Sequence, residues 1–266
     1  MKKEFRVVQG GVVQITTMDE RWYAVPVKNE ISGLPESFRF VPSVTWIAGH
    51  YPKGIGFYKW LADQGWDEAQ ALKVAAGDKG SRVHRAIQDL IDGGTVEMTA
   101  RYAGSEENEA ELSLEEYDCL RSFVAFWTAC QPVTLERELT VVSEQHNYAG
   151  TVDWCGMFRT PPKGLSTGPW LLDWKTSKDV WPEHEIQVSA YKHTDLIASL
   201  ALPDAPWHLG ILQVGYRRNK AGWKLTEIED QLPLFLAAQQ IWERESGRVT
   251  VPQIDYPLAL TLPAAP

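Results

Sequence analysis

The 266-residue chain has only three cysteines, Cys119, Cys130 and Cys155, and no Cys-x-x-Cys pair. That excludes a zinc ribbon and removes the usual frame for an iron–sulfur cluster. The odd number and wide spacing suit reduced, buried thiols, and Cys155 reads as strand packing. No apolar run approaches the roughly 20 residues that cross a bilayer. The start, Met1-Lys2-Lys3-Glu4, lacks the apolar core of a secretory signal, so a cytoplasmic protein with no membrane partner is expected. There is no internal repeat and no low-complexity tract. Positive charge is also in deficit: the formal net charge is −9, which at face value argues against a polyanionic partner.

The distribution of charge changes that conclusion. Residues 101–118 carry seven carboxylates against Arg101, so most of the acid excess lies in one segment. Arg217, Arg218, Lys220 and Lys224 cluster at one expected turn, and Lys175, Lys178 and Lys192 flank a second region of interest. Local groups of cations matter more for phosphate than the global sum. Hydrophobic content of 44% and charged content of 23% describe a globular chain with a sizeable core.

Pattern predicts an α/β protein. Residues 5–28 read as short strands turning at Gly10-Gly11, and 29–42 as a loop. Ser43 should cap a short helix ending near Gly49. Helical spacing runs from Phe57 to Ala76 with a break at Gly65, and Phe57, Trp60, Leu61, Leu72 and Val74 form its apolar positions. Gly77-Asp78-Lys79-Gly80 should interrupt it, with a new helix from about Ser81 whose stripe is Val83, Ile87, Leu90 and Ile91. An acidic helix over Leu112–Cys130 follows, with Leu120, Phe123, Val124 and Trp127 buried. Strands at 135–143, 149–158 and 170–176 then form an antiparallel meander. A helix over about 182–200, strands at 207–216 and 223–228, and a helix over 232–245 complete the core. The domain reading is an N-terminal strand and helix extension over 1–76, a core over 77–246, and a Pro-rich tail over 247–266.

The chemistry concentrates in the meander. In Leu171-Leu172-Asp173-Trp174-Lys175 the strand period of two places Asp173 and Lys175 on one face. Gly150-Thr151-Val152-Asp153 supplies a second acid from the preceding strand. Two carboxylates brought that close would repel unless a cation lay between them, and carboxylate oxygen is what Mg²⁺ prefers. A lysine beside them can orient a water and stabilise charge developing on a phosphate. Glu138 lies on a third strand, as a further ligand or as a partner of water or lysine; Glu136 competes for that assignment. His84 lies at the edge of its helix stripe. Gln187 and Tyr191, four residues apart on the helix after the lysine strand, share a face beside the site.

This ordered set resembles the RecB-type branch of the PD-(D/E)XK nuclease superfamily, in particular phage-encoded and mitochondrial genome maintenance exonucleases. The matching pieces are Pro42-Ser43-Val44-Thr45, Gly80-Ser81-Arg82-Val83-His84, Glu138, Gly150-Thr151-Val152-Asp153, Asp173-Trp174-Lys175 and Gln187-Val188-Ser189-Ala190-Tyr191, across residues 40–200. The resemblance implies a restriction-endonuclease-like central mixed sheet flanked by helices. It implies a Mg²⁺- or Mn²⁺-dependent deoxyribonuclease with one or two ions, acting at DNA ends or on single strands. His84, Asp153, Asp173 and the Trp174 backbone carbonyl would be the metal ligands, Lys175 the catalytic lysine, and Gln187 and Tyr191 its braces. Val152 stands where the family name has proline. No cysteine follows Cys155, so the iron–sulfur cluster of several relatives is not expected. The competing expectation is a non-catalytic ligand-binding module built on the twelve tryptophans. Periodic positions such as Trp60 and Trp127 place most of them in the core instead.

Overall fold

The computed structural model describes residues 4–17, 20–28, 35–105, 108–201 and 205–247. The chain begins with β1 (Glu4–Val7), a 3-10 turn (Gln9–Gly11), β2 (Val13–Thr16), β3 (Arg21–Lys28) and β4 (Pro35–Pro42). Each strand pairs antiparallel with the next in one four-stranded sheet. Residues 35–42 are therefore strand, where a loop over 29–42 was expected; residues 29–34 lie outside the described residues. Pro35 and Pro42 occupy the two ends of β4, an edge strand, where a missing N–H costs little.

Ser43 caps α1 (Val44–Ala48) as expected, its Oγ accepting from the Trp46 N–H at 3.0 Å. α2 (Ile55–Gln64) and α3 (Trp66–Ile91) follow, separated by Gly65 at φ +78°. The expected interruption at 77–80 is absent: α3 is continuous through Gly77 and Gly80, so residues 76 and 77 lie inside one helix. Each helical glycine costs only about 1 kcal/mol against alanine, and Ala69, Ala71, Ala75 and Ala76 with Lys73 and Leu72 favour helix around them. The expected burial also fails here. α2 buries no side chain, and Phe57, Trp60, Trp66, Leu72 and Val74 are exposed. Trp60 is thus not a core residue.

A hairpin not expected from pattern, β5 (Arg101–Ala103) with β6 (Glu109–Glu111), precedes α4 (Leu114–Cys130). α4 opens with a capping box between Ser113 and Glu116. Glu116 is also buried against Arg82 of α3, whose Nε and one terminal nitrogen each lie 2.7 Å from Glu116 Oε1. Part of the acidic segment is therefore an internal counter-charge. Leu120 and Phe123 are buried as expected, whereas Val124 is 47% exposed.

β7 (Pro132–Ser143), β8 (Tyr148–Phe158) and β9 (Pro169–Lys175) form the expected antiparallel meander. α5 (Pro182–Lys192) and α6 (Asp195–Leu200) replace the single helix expected over 182–200. The break falls at Thr194, whose hydroxyl donates to the Tyr191 carbonyl at 2.7 Å, while Ser143 Oγ donates to the His193 carbonyl. β10 (His208–Val214) returns parallel to β9, and β11 (Trp223–Ile228) closes the sheet antiparallel to it. α7 (Leu232–Glu245) ends the described chain. The order β11-β10-β9-β8-β7 is a mixed five-stranded sheet, and the protein is α/β.

Helices cover both faces of that sheet. Trp170, Leu172 and Trp174 of β9 pack with Val83 and Ile87 of α3 and Phe123 and Phe126 of α4. Leu171 packs the other way, with Ile186 and Val188 of α5 and Phe235 and Trp242 of α7. Each large apolar side chain so buried contributes roughly 1.5–3 kcal/mol. The N-terminal sheet joins the second of these layers. Trp22, Trp46 and Trp242 meet edge to face at 5.2–6.0 Å, and a parallel bridge links Ser43 to Ala149 of β8.

Candidate functional site

The site lies where two neighbouring strands part. β8 and β9 pair from Met157↔Pro169 to Trp154↔Leu172. One residue further on, the Asp153 carboxylate takes over from a strand backbone: its Oδ2 accepts the Trp174 N–H at 2.7 Å. The carbonyl of the same residue, Trp174, lies 3.0 Å from His84 Nε2. His84 Nδ1 lies 3.5 Å from Asp153 Oδ1. Glu138 enters from β7, between the pairs Arg137↔Trp154 and Leu139↔Val152. Its φ of +47° is uncommon outside glycine and costs on the order of 1–3 kcal/mol. This backbone turn falls at a candidate site residue. The ligand atoms of His84, Glu138 and Asp153 all lie within 4.8 Å of one another.

Asp173 and Lys175 adjoin this group from the α5 side. Lys175 Nζ lies 2.6 Å from Asp173 Oδ2. Gln187 Nε2 donates to Asp173 Oδ1 at 2.9 Å and meets the Tyr191 hydroxyl at 2.9 Å. Lys175 Nζ also reaches Gln187 Oε1 at 3.4 Å. Asp173 is 1% exposed, and its Oδ2 has the ammonium nearby but no aligned hydrogen bond. The strand period thus brings Asp173 and Lys175 together, and the helix period brings Gln187 and Tyr191 to them, as expected.

The charges respond to enclosure. Burial pushes Asp173 up to about 6 even though Lys175 pulls the other way, and the Asp153 charge adds to the rise. Burial and the Asp153 charge push Glu138 up to about 7. Burial works against the charged form of Asp153 as well. There the His84 charge and hydrogen bond, Lys175 and the Trp174 N–H prevail and hold it below its usual range. Burial disfavours the His84 imidazolium, but Asp153 more than reverses this and raises His84 to about 9. With no cation bound, Asp153 therefore favours the charged form of His84, one nitrogen toward Asp153 and the other toward the Trp174 carbonyl. A protonated imidazole stands among acids that would otherwise repel.

This arrangement refines the expected ligand set. The compact trio contains Glu138 as well as His84 and Asp153, while the Asp173 carboxylate is turned to Lys175 and Gln187. Two carboxylates and one imidazole form a donor set that suits Mn²⁺ or Mg²⁺, the imidazole favouring the former. Glu136 lies exposed, and Cys155 is buried with its thiol pushed up to about 11 by burial. Two neighbours were not anticipated. His184 at the start of α5 is pushed down to about 3 by burial and by Lys175 and Lys53, and Lys53 pairs with Glu183. Their sequence context carries no motif. Several expected surface cations are engaged: Lys192 with Asp230 at 3.0 Å, Arg218 with Asp179 at 2.9 Å, and Arg217 with Glu115 at 3.5 Å.

Gly150 shows why the Gly-Thr-Val-Asp run starts as it does. A Cβ there would stand 2.5 Å from Tyr191 Cε1 and 3.2 Å from Val44 Cγ2. Gly150→Ala is expected to displace the Tyr191 ring from Gln187 and to cost about 1–3 kcal/mol by overpacking. Urea denaturation measures the cost, and an unchanged midpoint would show that Tyr191 can move aside freely.

Comparison of the chain with models of known protein families, and with curated proteins, finds no match.

Proposed function

We propose that the protein is a divalent-metal-dependent deoxyribonuclease of restriction-endonuclease-like architecture. The preferred action is exonucleolytic, at DNA ends or on single strands, as in phage-type DNA processing or recombination. The observation that carries this reading is one cluster: His84, Glu138 and Asp153 within 4.8 Å, beside an Asp173–Lys175 pair 2.6 Å apart. Enclosed acids pushed upward suit a site completed by a cation.

His84, Glu138 and Asp153 would hold the ion, the imidazole giving up its Nδ1 proton to do so, with Asp173 and the Trp174 carbonyl adjacent to complete its shell. The ion would supply Lewis acidity toward a phosphate oxygen and lower the pKa of a bound water. In the proposed hydrolysis a water oxygen bonds to phosphorus as the bond from phosphorus to a deoxyribose oxygen breaks, and the proton the water gives up to solvent is matched by one the leaving oxygen takes from solvent. Lys175 Nζ, fixed by Asp173 and Gln187, would present its one remaining N–H to a non-bridging oxygen of the phosphate. Gln187 and Tyr191 keep the Asp173 carboxylate in place.

The test is incubation with end-labelled single-stranded DNA, double-stranded DNA and RNA in Mg²⁺, Mn²⁺ or chelator. DNA shortening that needs a cation is expected. Intact substrates under every condition would reject the reading. The exposed row Phe57, Tyr58, Trp60 and Trp66 favours a second reading, a ligand-binding module without catalysis. Such a module should show no Mn²⁺ site by calorimetry that disappears in Asp153→Ala.

A further inference from the structure

Beyond the carboxyl ends of the parallel strands β9 and β10 the surface opens into a cavity. Open α/β sheets place ligands in such crevices. Four parts of the chain wall it: Lys79 of α3, residues 176–178 after β9, residues 215–218 after β10, and Glu115 in the first turn of α4. Hydrogen bonds fix these walls to one another. Gln213 Nε2 of β10 donates to the Ser177 carbonyl at 3.0 Å and to the Lys178 carbonyl at 2.9 Å. The Gly215 N–H donates to Ser122 Oγ of α4 at 2.7 Å. The cavity adjoins the candidate site. Thr176 follows Lys175 directly, and Lys79 precedes His84 by five residues, about 7.5 Å along α3.

Four cations line this cavity: Lys79, Lys178, Arg217 and Arg218. Lys79 Nζ lies 2.9 Å and Arg217 Nη2 3.5 Å from the same atom, Glu115 Oε1. Two cations from different elements thus converge on one carboxylate oxygen. The Lys79 hydrogen bond and charge, with the Arg217 and Lys178 charges beyond them, hold Glu115 below the usual carboxylate range. Arg218 is turned to Asp179 at 2.9 Å, whereas Lys178 has no ion-pair partner among the described residues. The Arg217 side chain is 70% exposed and that of Glu115 55%, so water competes for their pairing and an incoming anion replaces the carboxylate at small cost. Phosphate oxygens take the same charged donors as a carboxylate.

Resting on the nuclease reading, we infer that Lys79, Lys178 and Arg217 form a subsite for a second backbone phosphate of the DNA strand, apart from the one that is cut, and that the Glu115 carboxylate fills this subsite until the strand displaces it. The subsite recognises the phosphodiester backbone and not the bases, so it is indifferent to sequence. Glu115 is then a competitor built into the fold.

The test measures binding of oligothymidylate, fluorescently labelled at its 3′ end, by anisotropy over a range of salt concentrations, with Ca²⁺ in place of a cation that supports cleavage. The oligonucleotide carries either a 5′-hydroxyl or a 5′-phosphate. Lys79→Ala/Arg217→Ala should bind both forms about tenfold or more weakly, and its log–log salt slope should fall by about 0.7, the share of one single-strand phosphate contact. Glu115→Gln should bind about threefold or more tightly than wild type, because it frees both cations. A gain of this kind cannot come from misfolding. Added to Lys79→Ala/Arg217→Ala, Glu115→Gln should gain nothing; an equal gain there would reveal a general charge effect and overturn the competitor. Weakening confined to the 5′-phosphate form would overturn the assignment to the backbone. Unchanged affinity in both variants, or weaker binding by Glu115→Gln, with normal wild-type binding, would overturn the subsite and leave the nuclease reading standing. Failure of the wild type to bind or cut any oligonucleotide would remove both.

Discussion

Asp173→Asn is expected to lower DNA cleavage by about 10²–10³-fold or more, while the melting temperature stays close to wild type. Asparagine keeps an oxygen for Gln187 Nε2, now 2.9 Å from Asp173 Oδ1, and removes a charge that burial already disfavours. What it loses is the carboxylate that fixes the Lys175 ammonium. Lys175→Ala should abolish cleavage to a similar degree but should also destabilise the fold. It leaves Asp173 enclosed without its counter-charge, and breaking a buried pair from one side costs about 3–5 kcal/mol. Asp173→Asn/Lys175→Met should recover that stability without recovering activity, and should cleave no worse than either single variant, because the pair acts as a unit. Single-turnover cleavage with thermal melts on the same preparations checks all three. Asp173→Asn activity within tenfold of wild type would remove this pair from the mechanism.

Without metal, stability is expected to fall as pH rises from about 4 to about 9. Asp173 is raised from 3.8 to about 6, and Glu138 from 4.5 to about 7. His84 is raised from 6.5 to about 9. Between each pair of values the folded chain holds a proton that the unfolded chain has released, so each group's contribution is complete below the lower value and lost through the upper one. Asp153 runs the other way: its contribution is present above 3.8 and lost as pH falls through its depressed value. The net decline from pH 5 to pH 9 should be on the order of a few kcal/mol, since these neighbouring groups titrate together. Urea denaturation in chelator measures it. His84→Gln should flatten the part between pH 7 and 9, and saturating Mn²⁺ should largely remove the decline. Chelated stability that is flat or rising over this range would contradict the charge arrangement described for the cluster.

Much of the site was legible because its residues obey short periods. Asp173 and Lys175 follow the strand period, Gln187 and Tyr191 the helix period, and Asp153 lies in the strand that the meander places next to β9. Ser43 and the limits of α7 were readable from capping and proline signals. The rest depends on contacts between distant residues. Nothing local to Glu138 announces its left-handed backbone, which interrupts the β7–β8 ladder between Arg137↔Trp154 and Leu139↔Val152. Nothing local marks Glu116 as buried, because its partner, Arg82, lies 34 residues away on another helix. β4 is hidden in the sequence because its prolines signal a turn, whereas at the ends of an edge strand they are tolerated. The glycines of α3 carry a similar local signal, but their cost of about 1 kcal/mol each is outweighed by strong helix formers on either side.

That unbroken α3 has a mechanical corollary. At about 1.5 Å per residue, Trp66 and His84 stand roughly 27 Å apart along a single rod. One end is bare and aromatic; the other holds the imidazole against Asp153 and Trp174. A single helix thus joins an exposed aromatic end to the histidine of the candidate site, and Gly77 and Gly80 between them are its weakest helix formers.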